Sequence, residues 1–371
     1  MRKTTTMIRL TILLLFTFSF QAMGQQITTE ELLPVRGLSI AAPSPDGVDR
    51  FVKFIHEELA PRQVNVLILR VDYRYKYKSR PELQGSNPLS KRDVRKLVQA
   101  CHQHDIRIIP QVNLLGHQSW HSTPSMLLKV YPEFDETPHV ELPDEYQWPN
   151  DDGLYCKSYC PLHPDVHGVV FDIVDEICDA FQADAFHAGM DEVFYIGDDN
   201  CPRCSGKDKA SLFAGEVSLI RDHLSKENRE LWIWGDRLLD GKTTGLGLWE
   251  ASENDTYRAI DMIPTDVFIC DWHYERPDPT PVYFATKGFR VAVCPYKKVE
   301  VGIGHVQNMQ YFREVSHPKM RENLQGVIQT VWTGCEQFMN EYYSGDYDPQ
   351  ISESASFKAV FAEMTLNTAD K

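Results

Sequence analysis

Short apolar runs alternate with longer amphipathic segments along most of the chain. Residues 37–41, 64–71, 106–112 and 185–187 form compact, β-rich apolar stretches, and 231–234, 267–272, 289–294 and 327–332 repeat the pattern. Several are near-continuously apolar, as a parallel strand buried on both faces requires. Between these runs, 47–59, 91–104, 166–181 and 210–226 carry helical periodicity. In the third of them Val169, Ile173, Val174, Ile177 and Phe181 fall on one face. Strands alternating with helices eight times predict a single α/β domain, a (β/α)8 TIM barrel over residues 25–371, rather than a doubly wound open sheet. The stretch 116–164 lacks periodicity and is rich in Pro, His and acidic residues. In a barrel it is an elaborated loop after the third strand, on the face where active sites form.

Residues 1–24 stand outside that pattern. Arg2, Lys3 and Arg9 accompany an apolar run from Leu10 to Phe20, and Ala22-Met23-Gly24 offers a site for cleavage after Gly24. This is a secretory signal, so the mature chain is expected in the periplasm or outside the cell. The apolar run is short for a bilayer span of about 20 residues. No cysteine stands at the cleavage site to take a lipid, so no membrane anchor is expected after cleavage.

Hydrophobic residues at 42% suffice for a large core, and a net charge of −15 argues against nucleic acid as a partner. The one basic, aromatic stretch, 70–78, reads as a solvated loop after a strand. Of nine cysteines, Cys156 with Cys160 and Cys201 with Cys204 are closely spaced. In an exported chain they favour two disulfides or a cross-loop arrangement over a zinc site. Cys101, Cys178, Cys270, Cys294 and Cys335 sit in apolar contexts and read as core.

The C-terminal ends of barrel strands converge on one mouth. Acidic residues recur at those ends, and Trp234, Trp272 and Trp332 each close a strand. Indoles beside carboxylates suit a sugar, whose apolar ring face packs on the aromatic while its hydroxyls seek charged partners. After the fourth run comes His187-Ala188-Gly189-Met190-Asp191-Glu192. Gly189 permits a close pass or an unusual backbone. The apolar neighbours Met190, Val193 and Phe194 are expected to desolvate a carboxyl and raise its pKa, as a general acid needs. Two carboxyls in such a cleft are the usual equipment for splitting a glycosidic bond.

That hexapeptide resembles the H-x-G-x-D-E motif of glycoside hydrolase family 20, the β-N-acetylhexosaminidases. Other segments resemble the family in its order: Arg36-Gly37 at the first strand, Pro110 to His117 against P-E-x-D-x-P-G-H, and the three tryptophans that wall the sugar pocket. The resemblance implies a retaining, exo-acting hydrolase of terminal β-linked N-acetylhexosamine, with no metal and no cofactor. Glu192 would be the acid/base, and Asp191 would orient the substrate's 2-acetamido group as nucleophile through an oxazolinium intermediate. Arg36, His117, His187, Trp234, Trp272, Tyr296, Trp332 and Glu336 would bind the sugar, with Tyr296 the candidate for the tyrosine that assists the acetamido carbonyl. Gln111, Asn113 and Leu115 depart from the family pattern, and Trp332-Thr333-Gly334-Cys335-Glu336 is longer than its W-x-E. The small domain that usually precedes the barrel is not expected between the signal and Arg36. The choice between N-acetylglucosamine and N-acetylgalactosamine stays open.

Two other readings remain. A metal-dependent hydrolase would use His117 and His121 with His187 and Asp191 as ligands. A non-hydrolytic carbohydrate-binding barrel would account for Gln111, Asn113 and the altered Trp332 segment.

Overall fold

A computed structural model describes residues 33–145 and 156–366. The signal segment therefore lies outside the described residues. Eight strands form a closed barrel: β1 (Val35–Ala41), β2 (Val66–Arg70), β3 (Arg107–Leu114), β4 (Ala185–Gly189), β5 (Glu230–Trp234), β6 (Phe268–Asp271), β7 (Arg290–Val293) and β8 (Leu324–Thr330). Each pairs in parallel with its sequence neighbours, and β8 closes on β1. Every apolar run expected to be a strand falls on one of them. The fold is a (β/α)8 TIM barrel.

Helices cover the outside: α1 (Val48–Phe54), α2 (Lys91–His102), α3 (Val166–Phe181), α4 (Lys209–Ser225), α5 (Thr280–Lys287), α6 (Val299–Val315), α7 (Cys335–Ser344) and α8 (Glu353–Leu366). Local chemistry sets their starts. Ser90 and Asp93 form a capping box at α2, and Asp208 caps α4 by accepting the Ser211 N–H. Between β5 and β6 the crossover is a 3-10 turn, Thr256–Asp261, packed on α4.

The barrel interior is aromatic from the strand starts to the mouth. Trp232 stacks on Phe268 at 3.7 Å, and Trp234 lies toward the mouth from Trp232. Cys101, Cys178, Cys270, Cys294 and Cys335 are buried, as their apolar contexts imply. The stretch 70–78 differs from its reading as a solvated loop. Arg70, Tyr73, Tyr75 and Tyr77 are buried, because Arg70 ends β2 inside the barrel and the tyrosines pack under the loop that follows. The loop after β3 carries a two-stranded ribbon, Ser119–Trp120 with Thr123–Pro124, and a short helix, Met126–Val130. Among the described residues no helix is long and apolar enough to cross a membrane.

Candidate active site

β4 delivers the acidic pair through a strained turn. Gly189, Met190 and Glu192 have φ of 67°, 68° and 49°, all left-handed. For Met and Glu this costs on the order of 1 kcal/mol each, a strain that clusters at functional sites. A Cβ at Gly189 would lie 2.4 Å from Asn113 Oδ1, and one at Gly116 would lie 2.4 Å from the Asp191 carbonyl oxygen. Both positions therefore require glycine. The loop after β3 thereby packs directly on the turn after β4.

Asp191 and Glu192 are 5% and 9% exposed. His117 sits between them, its Nε2 3.1 Å from Asp191 Oδ2 and 3.3 Å from Glu192 Oε2. Burial opposes a charge on His117, but the Asp191 carboxylate more than offsets this and holds the pKa well above the ordinary histidine value. The ring is thus an imidazolium at neutral pH. The Cys156 thiol donates to Glu192 Oε2 at 3.3 Å, and its sulfur lies 3.3 Å from His117 Nδ1. Burial pushes that thiol's pKa up, so the sulfur keeps its proton. Asp191 Oδ1 is buried with no hydrogen-bond partner among the described residues.

A buried ion pair supports the turn from below. The Glu192 backbone N–H donates to Asp236 Oδ2 at 2.9 Å, Arg237 Nε donates to the same oxygen at 2.7 Å, and Trp272 Nε1 donates to Asp236 Oδ1 at 3.3 Å. Arg237 also donates to the carbonyls of Leu248 and Trp249, at 2.7 and 3.1 Å, and to that of Ala251. Burial raises the Asp236 pKa to about 6 against the opposing pull of Arg237.

Aromatic rings from four strand ends gather at the mouth. Trp234 is fully buried, with its ring 4.6 Å from His187 and 5.7 Å from Trp332. Trp332 donates from Nε1 to the Tyr274 hydroxyl at 2.7 Å, and the Arg70 guanidinium lies 4.3 Å from its ring centre. Tyr274 packs on Trp272 at 4.9 Å and on Tyr296 at 5.1 Å. Glu353, at the start of α8, accepts the N–H groups of Trp332 and Thr333 at 2.7 and 3.1 Å, together with the Thr333 hydroxyl.

The structure thus brings Asp191, Glu192 and His117 together, and sets Trp272, Trp332 and Tyr296 in one aromatic group over Trp234. His187 lies deeper. Its Nδ1 accepts the Gly189 N–H at 3.0 Å, and burial lowers its pKa to about 3, so it is a neutral prop for the turn. Arg36 is elsewhere. It is among the first residues of β1, at the opposite end of the barrel, where Nε donates to Gln63 O at 2.9 Å and Nη1 to Leu33 O at 2.8 Å. Glu336 accepts the Ser44 N–H and hydroxyl at 2.7 and 2.8 Å, because the added residues place it on the first turn of α7, over the loop after β1. Of the ligand set weighed for a metal, His121 stacks on Trp120 and His187 is enclosed; His117 instead has Cys156 and Glu192 within 4.8 Å.

Sequence reasoning gave no site role to Arg70, Cys156, Tyr274 and Glu353, and took Asp236 only as part of a strand end at the mouth. Arg70 and Asp236 had a usable signal, each falling at or just beyond the end of a strand. Cys156 was read only for pairing, and nothing in the sequence ties Glu353 to the mouth.

A parallel eight-stranded barrel with buried carboxylates and stacked aromatics at its C-terminal mouth has the parts of a sugar-cleaving barrel. The chain belongs to glycosyl hydrolase family 20: residues 68–343 match the family's catalytic domain. It is 22% identical over 236 residues to the lacto-N-biosidase of Bifidobacterium bifidum, a match covering 59% of this chain and 19% of that protein. The fold is similar to that of the Flavobacterium johnsoniae chitobiase (TM-score 0.61, 16% identity, 90% of this chain and 50% of that one). It is equally similar to the Bacteroides fragilis β-N-acetylhexosaminidase (TM-score 0.61, 16% identity, 90% of this chain and 66% of that one). The chain therefore spans about a fifth of its curated relative and half to two thirds of these two structures.

Proposed function

We propose that this chain is a retaining, exo-acting hydrolase of terminal β-linked N-acetylhexosamine that works by substrate-assisted catalysis. The observation that carries the reading is the asymmetry of the acidic pair. Asp191 has one oxygen engaged by His117 and the other buried with no hydrogen-bond partner among the described residues, an acceptor suited to the N–H of a 2-acetamido group. An oriented acetamido oxygen then attacks the anomeric carbon, and the Asp191 charge stabilises the cationic oxazolinium that forms. Glu192 protonates the leaving oxygen and, in the second step, accepts a proton from water. His117, held cationic, stays paired with Asp191 Oδ2. An enzymatic nucleophile is unnecessary, which is the recognised exception to the two-carboxylate rule.

The aromatic group supplies the wall for the sugar ring. Arg70 takes the hydroxyl-binding role expected of Arg36, since its guanidinium is at the mouth and stacked on Trp332. Tyr274, packed between Trp272 and Tyr296 with its hydroxyl held by Trp332, takes the place beside the acetamido carbonyl expected of Tyr296. Residues 1–24 support export of the mature chain.

The test is turnover of aryl β-N-acetylglucosaminide and β-N-acetylgalactosaminide by the purified chain and its Glu192→Gln variant. Hydrolysis that the variant abolishes and a chelator spares is expected. Binding without turnover would replace this reading with a carbohydrate-binding barrel, and turnover lost to a chelator with one metal bound at His117, Cys156 and Glu192 would replace it with metal-assisted hydrolysis.

A further inference from the structure

The loops after β3 and β4 meet a second time, away from the acidic pair. Glu136 and Cys160, from the first loop, face Cys201 and Cys204, from the second, and the ligand-type atoms of all four lie within 4.8 Å of one another. Exposure is 0% for Glu136, Cys160 and Cys204 and 2% for Cys201. The Cys160 sulfur is 3.6 Å from that of Cys201 and 3.5 Å from that of Cys204.

Those separations have a geometric meaning. Thiolates about 2.3 Å from a tetrahedral zinc ion lie about 3.8 Å apart, whereas bonded sulfurs lie about 2.05 Å apart. One disulfide would consume two of the thiols and leave the third, with a carboxylate, sealed in the interior. Glu136 points the same way independently. Its Oε1 accepts the Asp198 N–H at 3.1 Å, but its Oε2 is buried with no hydrogen-bond partner among the described residues. An ionised carboxyl in that position is costly unless a cation meets it. Backbone donors also face two of the sulfurs. Backbone N–H groups of Arg203 and Cys204 point to Cys201, and that of Leu162 points to Cys160.

We propose that Glu136, Cys160, Cys201 and Cys204 bind one zinc ion, which clamps the loop after β3 to the loop after β4. Three soft thiolates and one carboxylate in a closed, fully buried set match a structural zinc site, not a catalytic one with an open position. The consequence reaches the acidic pair. Cys160 stands four residues after Cys156, whose thiol touches Glu192, and Cys201 follows Glu192 on the same loop. The ion thereby holds Cys156 and Glu192 in register, acting as a positioning element only.

Elemental analysis of the full chain, purified without chelator or metal-affinity resin, tests this independently of turnover. About one zinc per chain is expected, exchangeable for Co(II) with the intense visible and near-ultraviolet bands of a tetrahedral thiolate site. Cys204→Ser and the milder Glu136→Gln should lower retained zinc at least tenfold after dialysis against a chelator, whereas Cys156→Ser should leave it at one. The proposal is overturned by a metal-free chain in which Cys160 is disulfide-bonded to Cys201 or Cys204. Zinc that survives Cys204→Ser but leaves with Cys156→Ser overturns it equally. If Cys204→Ser does not fold, the native chain's zinc content and the Glu136→Gln variant decide.

Discussion

Removing Asp236 should unfold the site from beneath. Its carboxylate is 1% exposed and pairs with an Arg237 that is wholly buried. Asp236→Ala strands that guanidinium and deprives the Glu192 N–H and Trp272 Nε1 of their acceptors. Breaking a buried pair from one side costs about 3–5 kcal/mol, mostly as uncompensated charge. For a domain of about 350 residues, at about 2.1 cal/mol/K of unfolding entropy per residue, that corresponds to a fall in Tm of roughly 4–7 °C. Denaturant unfolding of Asp236→Ala, Arg237→Met and the double variant measures it. The double variant should lose less than the sum of the singles by about 2–3 kcal/mol, the upper part of the roughly 0.5–3 kcal/mol seen for contacting groups. Additive losses, or a single-variant loss below about 1 kcal/mol, would refute the argument that this pair braces the turn.

His117 gives a pH signature. Its folded pKa is raised above the reference 6.5, so its stabilising charge is fully present below that value and is lost as pH rises through the higher folded pKa. Tm should fall with rising pH on the alkaline side of neutrality, and the slope should flatten in His117→Gln, which differential scanning calorimetry would record. Cys156→Ala removes one S–H donor from Glu192; at about 0.5–1.5 kcal/mol for such a bond, kcat should change by no more than roughly tenfold. A loss of a thousandfold would make the thiol a reacting group. Arg70→Lys keeps the charge but not the planar stack on Trp332, so KM should rise about tenfold or more. Arg36→Ala should leave KM unchanged and lower Tm, and the reverse pattern would exchange the two roles.

The strands were legible because a parallel barrel buries both faces of each one, leaving runs such as 64–71 and 289–294 with little polar interruption. The acidic turn was legible because Gly189 is followed by two carboxyls at a strand end. Height along the strand was not. Arg36 opens β1 and Arg70 ends β2, and only the register of the closed sheet puts the second at the mouth. Cysteine spacing also misdirected: Cys156 and Cys160 are close in sequence, yet one sulfur faces Glu192 and the other faces Cys201 and Cys204. Both lie on the long loop after β3, and contacts with the next loop rather than local propensity decide where each sulfur sits. Glu336 fell outside the sugar site because the added residues after Trp332 start α7 early and turn the carboxylate toward Ser44.

The central claim is that the substrate's own acetamido oxygen attacks the anomeric carbon. Cleavage rates for aryl β-glycosides carrying N-acetyl, N-fluoroacetyl, N-difluoroacetyl and N-trifluoroacetyl groups test it directly. Each fluorine weakens that oxygen as a nucleophile, so kcat/KM should fall steeply along the series in the native chain. A rate indifferent to fluorination would contradict the account and require a nucleophile from the protein or from water.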